Sequence, residues 1–176
     1  MDAANNDLLS FMKYLKAAYH VDETDEHSSL EGAAHGQITQ TDAHRIVRSL
    51  VKNYNFERIR ENWPGNGNTS YTVNKGDYMY VCVRSATDPQ KLVDKNTLLF
   101  VLLHECAHIG NYDGWGHTDR FWSVFKFILG EARRFGIYKY VNYESSPVMY
   151  CGLNVNYQPL DDAALAPIEG ARDNAY

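Results

Sequence analysis

The stretch that decides the fold runs from Thr97 to Trp122 and reads TLLFVLLHECAHIGNYDGWGHTDRFW. It opens as an apolar run and then delivers His104, Glu105 and His108 in the pattern H-E-x-x-H. Helical residues four apart share a face, so a helix here offers two imidazoles to one metal ion. Glu105, beside the first of them, can take a proton from a water at that metal. Asp94 or Asn96 can cap this helix, and Gly110 can end it as a left-handed residue. Leu99, Leu102, Leu103 and Cys106 then face a core while the two histidines face a cleft.

A catalytic zinc site takes three protein ligands and leaves a fourth position open. His117, beyond a glycine-bearing loop and just ahead of the next helix, is the third ligand favoured here. Its rivals are Asp113 and Glu131. Asp113 is suited to hydrogen-bond a ligand imidazole instead. Glu131 stands about 80° off the apolar stripe of its helix, counting 100° per residue from Phe121. The expected centre is one Zn²⁺ on His104, His108 and His117, with Glu105 as general base. A donor for the substrate oxyanion is also needed. Tyr140, Tyr143 and Tyr150 are candidates, with Tyr143 preferred. The competing reading is a non-catalytic zinc domain, which would need a fourth protein ligand such as Cys151.

Upstream, Leu8, Leu9, Met12, Leu15 and Tyr19 recur with helical period, which predicts an accessory helix over 6–19. Residues 20–40 are polar, acidic and without period, so His20, His27 and His35 read as solvated linker histidines. A second helix is predicted from Thr41 or Asp42, burying Ile46, Val47, Leu50, Val51 and Tyr54. Residues 56–69 look irregular. Ser70–Val73 and Tyr78–Arg84 look like strands joined by a turn at Asn74-Lys75-Gly76-Asp77, the second strand lying inside its sheet. After the metal stretch, a helix from Asp119 to Phe135 stops at Gly136, and Ile137–Tyr143 has strand character. The tail 161–176 reads as loosely held.

The whole chain of 176 residues is long enough for one core. Aromatic content of 13% argues against general disorder, and a net charge of −5 gives no global signal for nucleic acid or membrane. Three cysteines, Cys82, Cys106 and Cys151, are too sparse for a disulfide framework. They are expected to be reduced thiols in an intracellular protein, cytoplasmic or nuclear. The N-terminus lacks the features of a signal peptide, and no apolar run approaches the roughly 20 residues of a membrane span.

The segments HECAHIG and GWGHTDRFW resemble the WLM zinc metallopeptidases and, more distantly, the SprT-like ones. In both groups an H-E-x-x-H helix is followed by a third histidine and then an aromatic, here Phe121, with Trp122 after it. NTSYTVNKGDYMYVCVR looks like the strand region of the same group, and the likeness covers about Asn68 to Pro159. The spacing from His108 to His117 is longer than is typical there. The resemblance implies an α+β, zincin-like fold, a small mixed sheet packed on the H-E-x-x-H helix. Residues 1–55 and the tail contribute nothing to the likeness; the chain as a whole is expected to divide into an N-terminal helix and linker (1–40), a metallopeptidase domain (41–160) and a tail (161–176). The resemblance implies hydrolysis of peptide or isopeptide bonds in protein substrates, DNA-crosslinked or carrying a ubiquitin-like modifier. Association with nucleic acid follows from the resemblance alone.

Overall fold

The computed structural model describes residues 2–21, 38–64 and 69–160. The linker with His27 and His35, and the tail 161–176, lie outside the described residues. Among the described residues, four α-helices and two small sheets make a mixed α+β architecture. The helices are α1 (Asp2–Ala18), α2 (Gln40–Asn53), α3 (Lys95–Gly110) and α4 (Asp119–Phe135). Strands β1 (Ile59–Glu61), β2 (Tyr71–Val73) and β3 (Tyr78–Val81) form one sheet in the order β1-β3-β2. β1 runs parallel to β3 and β2 antiparallel to it. β4 (Val148–Tyr150) and β5 (Leu153–Val155) form a separate hairpin. None of the described helices is long and apolar enough to cross a membrane.

α3 is the centre of this arrangement. Its run Leu98–Leu103 is buried on every side, as expected of a helix that is apolar all round. It packs against α1, α2 and α4 and against β2. Asp94 caps it, the carboxylate accepting from the backbone N–H groups of Asn96 and Thr97. Gly110 is not its left-handed stop. It is the last helical residue, and Asn111 follows at φ −78°. A Cβ on Gly110 would come within 3.0 Å of Ile46 Cγ2 and 3.3 Å of Val124 Cγ1. The glycine is therefore where α2 and α4 close onto α3. Gly136, at φ 94°, does terminate α4 in the left-handed conformation.

Several expectations need correction. α1 is part of the main core, because Leu8, Phe11 and Leu15 are fully buried in the same cluster as α3 and α4. The word accessory understates it. α2 starts one or two residues early, capped by Thr39, whose hydroxyl accepts from the Asp42 backbone N–H. β1 lies inside the stretch expected to be irregular. The segment 137–143 is no strand. The Lys139 backbone pairs with the Asn96 side chain, Asn96 Nδ2 donating to Lys139 O at 2.8 Å and Lys139 N donating to Asn96 Oδ1 at 2.9 Å. Gln158 Nε2 satisfies the Val141 carbonyl. An amide side chain thus takes the place of a strand neighbour. Finally, Cys82 and Cys151 are joined in a disulfide, leaving Cys106 as the free, buried thiol. Cys151 and Gly152, at φ 49° and 91°, form the two-residue turn between β4 and β5. The bond fastens this hairpin to the end of β3.

Candidate metal centre

His104 and His108 stand one turn apart on α3, and His117 comes from the loop that leads into α4. The three offer ligand atoms that all lie within 4.8 Å of one another. His104 Nε2 is 3.0 Å from His117 Nε2. The three rings gather around the fully buried Phe121, with centroid distances of 4.9 Å from His104, 4.4 Å from His108 and 4.7 Å from His117. Phe121 follows the helix cap Thr118, so the start of α4 sets the floor of the site. Burial, reinforced by the neighbouring imidazoles, holds His104 down at about 3 and His108 at about 4. Burial lowers His117 as well. All three are neutral at pH 7, the form that binds a cation. This group can hold a metal ion.

Glu105 is 3% exposed. Burial pushes its carboxyl up to about 7, against the pull of a hydrogen bond from Thr72. Thr72 Oγ1 donates to Glu105 Oε2 at 2.8 Å. Thr72 sits opposite the buried Met79 in the β2–β3 register, so its side chain faces α3. Strand β2 thus fixes the carboxylate beside the two helical histidines.

The loop carrying His117 is tied down from two sides. Arg120 Nη2 lies 3.2 Å from Asp42 Oδ1, and Arg120 Nε lies 3.6 Å from Asp113 Oδ1. Asp42 is buried at the start of α2. Its burial works to raise its pKa, but hydrogen bonds from Thr39 and the Arg120 charge prevail and hold it below the usual value. From the other side, Lys75 Nζ donates to Asn111 O at 2.6 Å and lies 4.8 Å from the Trp115 ring centroid. Lys75 belongs to the β2–β3 turn, where Asn74, Lys75 and Gly76 all have positive φ. A cation on the last carbonyls of α3 is favourable.

The structure places the sequence-predicted residues unevenly. His104, Glu105, His108 and His117 come together. Asp113 is engaged with Arg120, and Glu131 is bound to Tyr14 Oη at 3.2 Å and Arg134 Nη1 at 2.6 Å. Neither joins the histidine group. Cys151 is spent in the disulfide. Tyr143 does not reach the cleft. It is 1% exposed, packs on Phe100 at 4.8 Å and feels the charge of Asp94 at the N-terminal end of α3. Thr97, its neighbour there, is about 10 Å along the helix axis from His104. Tyr150 borders the cleft, but its hydroxyl is committed to Ser70 at 2.6 Å and to the Cys82 carbonyl at 2.7 Å. The residue missed is Tyr157, whose Oη lies 3.0 Å from His104 Nδ1.

The cleft over the histidines has a volume of about 360 Å³, walled by Val101, Trp122, Tyr150, Val155 and Tyr157. Past Trp122 and Tyr157 a second hollow of about 710 Å³ opens between Ile38, Phe127 and Pro159.

No family model matches this chain, and no solved structure matches it. Three viral proteins are similar over part of their length. Uncharacterized protein R325 of Acanthamoeba polyphaga mimivirus is 38% identical over 98 residues, 56% of this chain and 49% of that protein. Uncharacterized protein 136R of Invertebrate iridescent virus 6 is 37% identical over 73 residues, 41% of this chain and 40% of that protein. Uncharacterized protein 042R of Invertebrate iridescent virus 3 is 42% identical over 69 residues, 39% of this chain and 42% of that protein. The chain thus spans less than half the length of each of these relatives.

Proposed function

We propose that this chain is a zinc-dependent metallopeptidase of zincin-like fold, cleaving peptide or isopeptide bonds in protein substrates. The observation that carries the reading is a three-histidine group at a cleft that His104, His117 and the buried Glu105 line together. The donor set suits zinc, because three nitrogen ligands with no sulfur match the catalytic kind of site. Cys151, the sulfur that could have closed a structural site, is bonded to Cys82. A zinc ion bound there would supply Lewis acidity, polarising a scissile carbonyl and lowering the pKa of water.

The chain's own residues would do the rest. Glu105 accepts a proton from the attacking water and later delivers it to the departing amine nitrogen. Its burial suits the task, since a desolvated carboxylate is the stronger base. Thr72 keeps the carboxylate oriented. Tyr143, buried against Phe100 and absent from the cleft lining, is not placed to donate to the oxyanion. β2 pairs only with β3 among the described strands, so an extended peptide can add to its open edge. The apolar hollow beyond Trp122 would take a substrate side chain.

The test is Glu105→Gln in the zinc-loaded protein, assayed on unfolded casein. The variant should bind one zinc per chain like the parent and lose at least a hundredfold in cleavage rate. Undiminished cleavage by the variant would refute the assignment of the base.

A further inference from the structure

Tyr157 touches His104 on the side of the ring away from the other ligands. His104 Nε2 faces His117 Nε2 at 3.0 Å, while its Nδ1 lies 3.0 Å from Tyr157 Oη. A neutral imidazole that offers a lone pair at Nε2 carries its proton on Nδ1. That N–H calls for an acceptor, because His104 is half-buried. The phenol oxygen is the acceptor at hand, and a hydroxyl can accept one hydrogen bond while still donating another. The ring that carries it is held by packing against Trp122 and Phe100, at centroid distances of 5.3 and 5.5 Å. The chain enters this position from β5 of the hairpin anchored by Cys151.

We propose that Tyr157 is a positioning residue of the metal centre, accepting the Nδ1–H of His104 and so fixing the tautomer and ring angle that present Nε2 to the ion. The proposal rests on the metal-site reading above and extends it to a residue with no place in the H-E-x-x-H motif. Outer partners of ligand histidines commonly contribute tenfold to a hundredfold in metal affinity. Tyr157 is also the link by which the β4–β5 hairpin sets the geometry of α3's first ligand.

Tyr157→Phe keeps the ring and removes the oxygen. Zinc dissociation constants are measured by competition with a chromogenic chelator for the parent, Tyr157→Phe and His117→Ala. Nitrogen-15 spectra of the imidazoles of the zinc-loaded forms report the tautomer. Tyr157→Phe is expected to bind zinc about tenfold to a hundredfold more weakly. Its His104 Nδ1 proton should exchange with water faster than the parent's, while thermal melting of the zinc-free form is preserved. Melting guards against misfolding, and Tyr157→Leu, a smaller apolar side chain without an oxygen, should reproduce the loss. Unchanged zinc affinity in Tyr157→Phe, with a parent that binds and a His117→Ala variant that does not, would overturn the proposal alone. A parent that takes up no zinc would overturn the metal reading and the proposal with it.

Discussion

Glu105 and the histidines titrate in opposite senses, and this can be read in the metal-free protein. Burial raises Glu105 from the usual carboxylate value of 4.5 to about 7. Between those values the folded chain keeps a proton that the unfolded chain has released. Glu105 therefore costs stability as pH rises through that window, by up to about 3 kcal/mol. His104 and His108 lie below the usual 6.5. The unfolded chain takes up their protons first, so their effect is a loss of stability as pH falls below 6.5. Glu105→Gln removes only the first effect. With chelator present, the variant should melt above the parent at pH 8 and together with it near pH 4. An equal difference at both pH values would show that Glu105 is not held in a desolvated site. At this scale the histidine group was legible in the sequence, because helical spacing puts His104 and His108 on one face whatever the fold. His117 was legible through its loop and the helix cap behind it. Tyr157 was not, since it stands 53 residues from His104 and no local pattern joins them.

Elements were legible where the chain carries its own signals. Asp94, Asn74–Asp77 and Gly136 marked a cap, a turn and a stop that depend on a few neighbouring residues. β1 escaped notice because three residues paired in parallel with a distant strand leave no period to read. The segment 137–143 misled because its β-branched and aromatic residues suit a strand, whereas its backbone is satisfied by Asn96 and Gln158. α1 was recognised as a helix, but its depth in the core was not. Periodicity reports which face is apolar and says nothing of how much covers it. Phe11 is fully buried and lies against Tyr14 and Phe135 of α4. Phe11→Ala should therefore destabilise the protein by about 3–5 kcal/mol, measured by urea unfolding. A loss below about 1 kcal/mol, the level of a surface site, would mean that α1 is an appendage after all.

For the whole molecule, the elements converge on holding one short loop and one helix face. α2 anchors the His117 loop through Asp42 and Arg120, β2 orients Glu105 through Thr72, and the hairpin brings Tyr157 to His104. The Cys82–Cys151 bond ties that hairpin to the sheet. Cysteine counting missed it because a pair 69 residues apart is made by the fold. A mixed α+β class was readable from a pair of strand signals at 70–84 set between helical ones, while the substrate was not, because cleft shape depends on residues from every element. The most direct measurement is zinc-edge X-ray absorption on protein loaded with one equivalent of Zn²⁺. Three imidazole nitrogens and one further light atom at roughly 2.0–2.1 Å are expected, and His117→Ala should retain no zinc after desalting. A sulfur shell at roughly 2.3 Å, or a parent chain that retains no zinc after desalting, would contradict the three-histidine centre.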